Sequence, residues 1–184
     1  MKPHKPQKDM IQKLQELHRK VDEFFAETAT RRGSAMSCHA GCHECCHEDL
    51  TISPVEAHLL RLFLQGASRE VRALIRDRVR KRERCVFLHG TTGRCLIYPA
   101  RPIICRSHGL PLLTREGPKD TPRASVCPKN FQGLTPTEED TLNMDTVNTL
   151  LFLINSLYGD EPSRTALSEI AETVLSEADR KSTR

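Results

Sequence analysis

Cys38, Cys42, Cys45 and Cys46 fall within nine residues, in the string Cys38-His39-Ala40-Gly41-Cys42-His43-Glu44-Cys45-Cys46. Four thiols at C-x3-C-x2-C-C spacing leave few unstrained disulfides, because bridged Cα atoms must lie about 4.4–6.8 Å apart with a narrow torsion. A cation sets no such condition. Short gaps let several thiolates reach one centre, and Gly41 relaxes the backbone between them. Adjacent side chains point apart in extended backbone, so Cys45 and Cys46 would address two metals, or two atoms of a polynuclear cluster, more naturally than one tetrahedral ion. A second series, Cys85, Cys95, Cys105 and Cys127, brings the total to eight. Eight thiols suffice for two four-coordinate zinc sites, one cluster with one zinc, or two iron–sulfur clusters. The spacing leaves the pairing open.

The elements that must position these residues are helical. Met10, Ile11, Leu14, Leu17, Val21, Phe24 and Phe25 recur at helical spacing and predict an amphipathic helix over 7–31, ended by Arg32-Gly33-Ser34. Ser53-Pro54-Val55-Glu56 combines a capping serine, a first-turn proline and a glutamate three residues on, the signature of a helix start. That helix runs to Gly66, and a second follows over 68–84 with Val71, Leu74, Ile75 and Val79 as its stripe. The pattern returns after Thr135-Pro136-Thr137 as a helical pair within 137–180. The first member, from Leu142 to Gly159, carries Leu150, Leu151 and Phe152 as core, and the second starts near Ser163. Between them, Cys85 to Gly133 shows no period and holds six of the eleven prolines, with short strands expected at 84–88 and 94–98. A stretch of that length without a core of its own calls for metal as its staple. The expected fold is mainly α: a small single domain over 1–184, with an irregular Cys-rich, metal-stapled half at 38–133.

Composition narrows the function classes. With 38% hydrophobic and 28% charged residues, the 184-residue chain can fold around a modest core, while 4% aromatics and no Trp disfavour a large aromatic-lined ligand pocket. The first twenty residues carry charge throughout, unlike a secretory signal, and no stretch approaches the roughly 18 apolar residues of a membrane helix. The expectation is a cytoplasmic chain without a membrane partner, whose thiols the cell keeps reduced. Charge is uneven: residues 134–184 hold four Lys+Arg against ten Asp+Glu, whereas 1–133 hold 24 against 14. Eight basic residues crowd 69–84, but they surround most of that helix. With few aromatics for stacking, they read as a solvated face facing the acidic C-terminal helices and not as a nucleic-acid surface.

Residues 38–46, together with Cys85-Val86-Phe87-Leu88 and Gly93-Arg94-Cys95-Leu96-Ile97-Tyr98-Pro99-Ala100-Arg101-Pro102-Ile103-Ile104-Cys105-Arg106, resemble the zinc- or iron-chelating cysteine-cluster family, also called the CxxCxxCC or YkgJ type. The resemblance covers roughly 38–127. It implies eight metal-ligating cysteines, carried over here to Cys38, Cys42, Cys45, Cys46, Cys85, Cys95, Cys105 and Cys127. This chain has C-x3-C where the family name has C-x2-C, a departure that touches Cys38. The family includes flagellin lysine methylases, so the resemblance also admits a protein-modifying enzyme.

Other groups near the thiols have plainer roles. Arg94, Arg101 and Arg106 are available as counter-charges to thiolates or as solvated loop charges. His39, His43, His47 and His108 could replace a thiol or bind an exchangeable metal, although eight cysteines already fill two tetrahedral sites. Cys38-x3-Cys42-x2-Cys45 also matches the cluster spacing of radical-SAM enzymes, but no alternating strand–helix pattern follows residue 50 and no Gly-rich turn offers a SAM pocket. The reading is a metal-binding protein with zinc or an iron–sulfur cluster as cofactor and the metal ion, with a further protein, as partner. A metal-dependent redox or methylase-like enzyme and a zinc-stapled nucleic-acid adaptor are the alternatives. No catalytic residue is assigned.

Overall fold

The computed structural model describes residues 5–46, 49–81, 85–116, 121–159 and 163–182. In chain order these form α1 (Lys5–Arg32), β1 (Thr51–Ile52), α2 (Pro54–Gly66), α3 (Arg69–Arg80), α4 (Ile103–Ser107), β2 (Leu112–Glu116), β3 (Thr121–Ser125), β4 (Leu142–Asn143), α5 (Met144–Tyr158), β5 (Thr165–Ala166) and α6 (Leu167–Ser182). The fold is mainly α, as the periodicity requires. Among the described residues no helix is long and apolar enough to cross a membrane. The chain divides into two compact units, Met1–His39 with Pro102–Tyr158, and Ala40–Arg101 with Gly159–Arg184. The boundary falls inside the first cysteine spacing, between Cys38 and Cys42.

Unit 1 is built on α1. Its Leu14, Leu17 and Val21 are buried, and α1 packs against α4 and α5 through a core containing Ile103, Leu110, Phe131, Met144 and Val147. The proline-rich stretch also holds an antiparallel hairpin that the periodicity does not announce, with β2 paired to β3 from Leu112↔Ser125 to Glu116↔Thr121. The short strand β4 joins β2 in parallel, Leu112 opposite Leu142, so the chain around Leu142 enters a sheet before α5 begins. Only part of the apolar run on α5 is core: Val147 is buried and Leu151 and Ile154 pack against it, while Leu150, Leu153 and Phe152 (68% exposed) face outward. That corrects the expectation that Leu150-Leu151-Phe152 is all core, and the reason is geometric, since three consecutive residues span most of a helical turn.

The end of α1 is held by a buried carboxylate. Asp140 is completely inaccessible. It accepts from Arg31 Nε at 3.2 Å, from Arg32 Nε at 2.8 Å, and from the N–H and hydroxyl of Thr137 at 2.9 and 2.8 Å. The Arg32 guanidinium, with the Thr137 donors and Arg31, holds the Asp140 carboxyl well below the usual carboxylate range against the opposing effect of burial.

Unit 2 packs α2 and α3 against α6 over a core that includes Leu60, Leu64, Ile75, Phe87, Ile97, Ile170 and Val174. The expected capping box is present, with the Ser53 N–H donating to Glu56 Oε2 at 3.1 Å. α3 ends at Arg80, and residues 82–84 of the expected helix lie outside the described residues. β1 pairs antiparallel with β5, Thr51 opposite Ala166, and Asp49 accepts from the Ser168 N–H at 3.0 Å at the start of α6. Instead of beginning near Ser163, the last helix therefore starts after a strand contact. The strands expected at 84–88 and 94–98 reduce to a single bridge, Leu88↔Cys95.

Candidate metal centre

In unit 2 the short hydrogen bonds of one loop bring two cysteine-bearing segments together. The Leu96 N–H donates to Phe87 O at 2.7 Å, the His89 N–H to Arg94 O at 2.8 Å and the Gly93 N–H to His89 O at 3.0 Å. This turns the chain back on itself between Cys85 and Cys95, with Phe87 and Ile97 anchoring both arms in the core. The 41–46 loop is seated on the tip of that turn. A Cβ at Gly93 would lie 2.6 Å from both Gly41 O and His43 Nδ1, so the approach exists because residue 93 has no side chain, and its φ of +65° suits glycine.

Cys46 consequently feels Cys45, Cys85 and Cys95. A hydrogen bond with Cys45 pushes the Cys46 thiol up strongly, burial adds to it, and so does the repulsion expected from charge on Cys45, Cys85 and Cys95. Burial also pushes the Cys85 thiol up, while the N–H groups of Phe87 and Leu88 and the Arg78 guanidinium pull it back. Adjacent Cys45 and Cys46 do not point apart as they would in extended backbone. The Cys46 N–H bonds to His43 O at 2.8 Å, so the pair sits on a turn and the two thiols meet. Cys42 lies on the same loop, half-buried.

Unit 1 holds Cys38, Cys105 and Cys127, all half-buried. The Phe131 N–H donates to Ala35 O and the Ser37 N–H to Asn130 Oδ1, both at 2.8 Å, which lays the chain before Cys38 along the Cys127–Phe131 turn. Asn130 is 3% exposed and spends its amide nitrogen on Cys38 Sγ at 3.3 Å and on Gly109 O at 2.6 Å. Gly109 completes the contact. Its φ is +100° and a Cβ there would stand 2.5 Å from Cys38 Sγ. Cys105 sits within α4, two residues before its end.

None of the eight cysteines is joined in a disulfide. Residues 37–128, half of the chain, match the family model titled "CxxCxxCC: Putative zinc- or iron-chelating domain". The chain belongs to the CxxCxxCC family. No curated protein and no solved structure matches it.

A CxxCxxCC domain is described by zinc or iron chelation, and the donor set suits it: thiolate sulfur is the ligand that zinc and iron–sulfur centres take. Among the described residues, no group of three or more His, Cys, Asp or Glu is already drawn in to metal-holding geometry. In unit 2 Cys46 is hydrogen-bonded with Cys45, and this bond, burial and the charge expected on Cys45, Cys85 and Cys95 raise the cost of ionising it, which is what a cation would relieve. Two of the three arginines expected as counter-charges have other partners as well. Arg106 is buried and paired with Asp22 of α1, and Arg101 lies 3.8 Å over the Tyr98 ring. The counter-charge to Cys85 is Arg78, which also donates from Nε to Cys85 O at 3.2 Å. Neither Arg78, read as one solvated charge among eight, nor Asn130, unremarked in sequence, was singled out by residue type. His47 lies outside the described residues.

Proposed function

We propose that the protein chelates zinc or iron through its eight cysteines, with Cys45, Cys46, Cys85 and Cys95 of unit 2 forming one four-sulfur centre and Cys38, Cys42, Cys105 and Cys127 completing the ligand set. The observation that supports this reading is the contact of Cys46 with Cys45, together with the repulsion that charge on Cys85 and Cys95 would add. Four thiolates so placed repel one another, and a cation converts that repulsion into binding energy while deprotonating the sulfurs. The contact between Cys45 and Cys46 favours one centre over two there. When bound, the metal would supply a cross-link between the 41–46 loop and the Cys85–Cys95 turn, which otherwise rest on backbone contacts. Arg78 would offset part of the negative charge of the thiolates. The reading places the chain in the cytoplasm, where thiols are kept reduced and available to metal.

A four-sulfur set is the ligand set both of a closed structural zinc site and of a [4Fe–4S] cluster, and metal analysis separates them. On tag-free protein purified without oxygen, iron with sulfide and broad absorbance near about 400 nm identifies the cluster. Colourless protein with stoichiometric zinc, released by Cys46→Ser, identifies the closed zinc site. Protein that takes up neither metal under reducing conditions overturns the reading.

A further inference from the structure

A cavity of about 510 Å³ in unit 2 has Cys46, His43, His89, Asp77, Arg78 and Lys81 in its walls. Its two histidines are held in opposite tautomers. His43 Nδ1 lies 2.8 Å from Gly41 O. A carbonyl only accepts, so in the neutral ring Nδ1 carries the proton and Nε2 is left with a lone pair. At His89 the N–H groups of Thr91 and Thr92 both donate to Nδ1, at 3.3 and 3.2 Å, so there the lone pair is spent and Nε2 carries the proton. Of the two rings, His43 alone offers the cavity a ligating nitrogen. A carbonyl holding the far nitrogen is also the support that metal-bound histidines use to fix ring and tautomer.

The ring is seated deliberately. Gly93 leaves the room in which His43 Nδ1 and Gly41 O approach, and the hydrogen bond from the Cys46 N–H to His43 O puts residues 43 and 46 on one turn. His43 is exposed and Cys46 half-buried, and both line the same cavity.

Resting on the chelation reading, we propose that His43 Nε2 and the Cys46 thiolate form an exchange site in this cavity, where a borderline divalent ion such as zinc or ferrous iron docks before Cys45, Cys85 and Cys95 take it. Mixed nitrogen–sulfur ligation suits such ions. Two donors are too few for a closed site, and the guanidinium and ammonium in the walls oppose a dication, although Lys81 is paired with Asp77 at 2.8 Å. Both features make residence brief, as handover requires.

The test is anaerobic uptake of Co²⁺ by full-length reduced apo-protein, followed by sulfur-to-cobalt absorbance, with release to a chelator as the reverse step. His43→Ala is expected to slow uptake and release about tenfold, the scale on which groups adjoining a metal centre act, while the final absorbance stays that of wild type. His43→Cys, which restores a donor, should recover the rate, and His89→Ala should leave it unchanged. Wild-type kinetics in His43→Ala, or equal slowing in His89→Ala, overturns the exchange site alone. Wild-type protein that never develops sulfur-to-cobalt absorbance overturns the chelation reading and this inference together.

Discussion

In unit 1 one buried amide, Asn130, donates to Cys38 and binds it to the Gly109 carbonyl, within a frame whose helix end is fastened by Arg31, Arg32 and Asp140. In unit 2 a glycine lets two loops touch, Cys46 meets Cys45, and charge on Cys85 and Cys95 would add to the cost of ionising it. The first arrangement satisfies its polar groups without a metal. The second leaves thiols whose ionisation is mutually opposed. Metal should therefore matter unequally: it would organise unit 2 and only complete unit 1.

The most forceful way to break that comparison is to strip the metal. Structural zinc in small domains contributes about 10 kcal/mol or more of folding free energy at neutral pH. We expect chelation, or Cys46→Ser, to remove amide protection at Gly93 and Leu96, whose N–H groups close the unit 2 turn, while the Phe131 N–H of unit 1 keeps its own. Hydrogen exchange read by mass spectrometry checks this. Equal loss in both units would mean that metal organises them alike.

Next in size is Asp140→Ala. Removing one partner of a buried ion pair typically costs about 3–5 kcal/mol. Urea unfolding should show that loss in unit 1, with the metal content of the Cys45/Cys46/Cys85/Cys95 group unchanged. The pH dependence has a fixed sign. Because the folded carboxyl titrates below its ordinary value of 3.8, its contribution is complete above that pH and disappears as pH falls through the lower folded value. Asp140→Asn should flatten that acid limb. An acid limb identical to wild type would show that the Arg31–Arg32–Asp140 contact is not what stabilises the helix end.

How far these features could be read in sequence follows from their range. α1, and the Ser53 start of α2, depend on spacing within a turn or two and are visible there. The β2–β3 hairpin is hidden among prolines and charges, and β4 enters the sheet through a parallel pairing thirty residues away in sequence from Leu112 to Leu142, which no local pattern encodes. The cysteines stand out by type and density. Their grouping does not, because Cys45 and Cys46 meet only through the His43–Cys46 turn. Asn130 and Arg78 were invisible for the same reason: an asparagine in a loop and one arginine among eight acquire their roles from a partner that the fold delivers.

The space beside Cys38 offers a smaller test. Gly109→Ala must place a Cβ in the 2.5 Å approach to Cys38 Sγ at φ +100°, and a non-glycine residue in such a conformation costs about 1–3 kcal/mol. Thermal unfolding should register the loss. If Gly109→Ala is neutral, the close packing around Cys38 is looser than the unit 1 arrangement requires.

Asn130 separates position from stability most finely. Its amide nitrogen donates to Cys38 Sγ and Gly109 O, and its oxygen accepts from the Ser37 N–H. Asn130→Asp keeps the acceptor but loses both donations and sets a carboxylate beside a thiolate. Asn130→Leu loses all three contacts without adding charge. Supporting groups of this kind are worth about 10–100-fold in metal affinity. If Asn130 positions Cys38 by donation, both variants weaken metal binding by the unit 1 cysteines, Asp more than Leu, and leave the affinity of the unit 2 group untouched. Competition with a chromophoric chelator resolves two classes of bound metal and reads each affinity. If Asn130→Asp binds as tightly as wild type, the amide serves only to close the Ser37–Gly109 contact, and unit 1 sets its thiol by backbone packing, as unit 2 does.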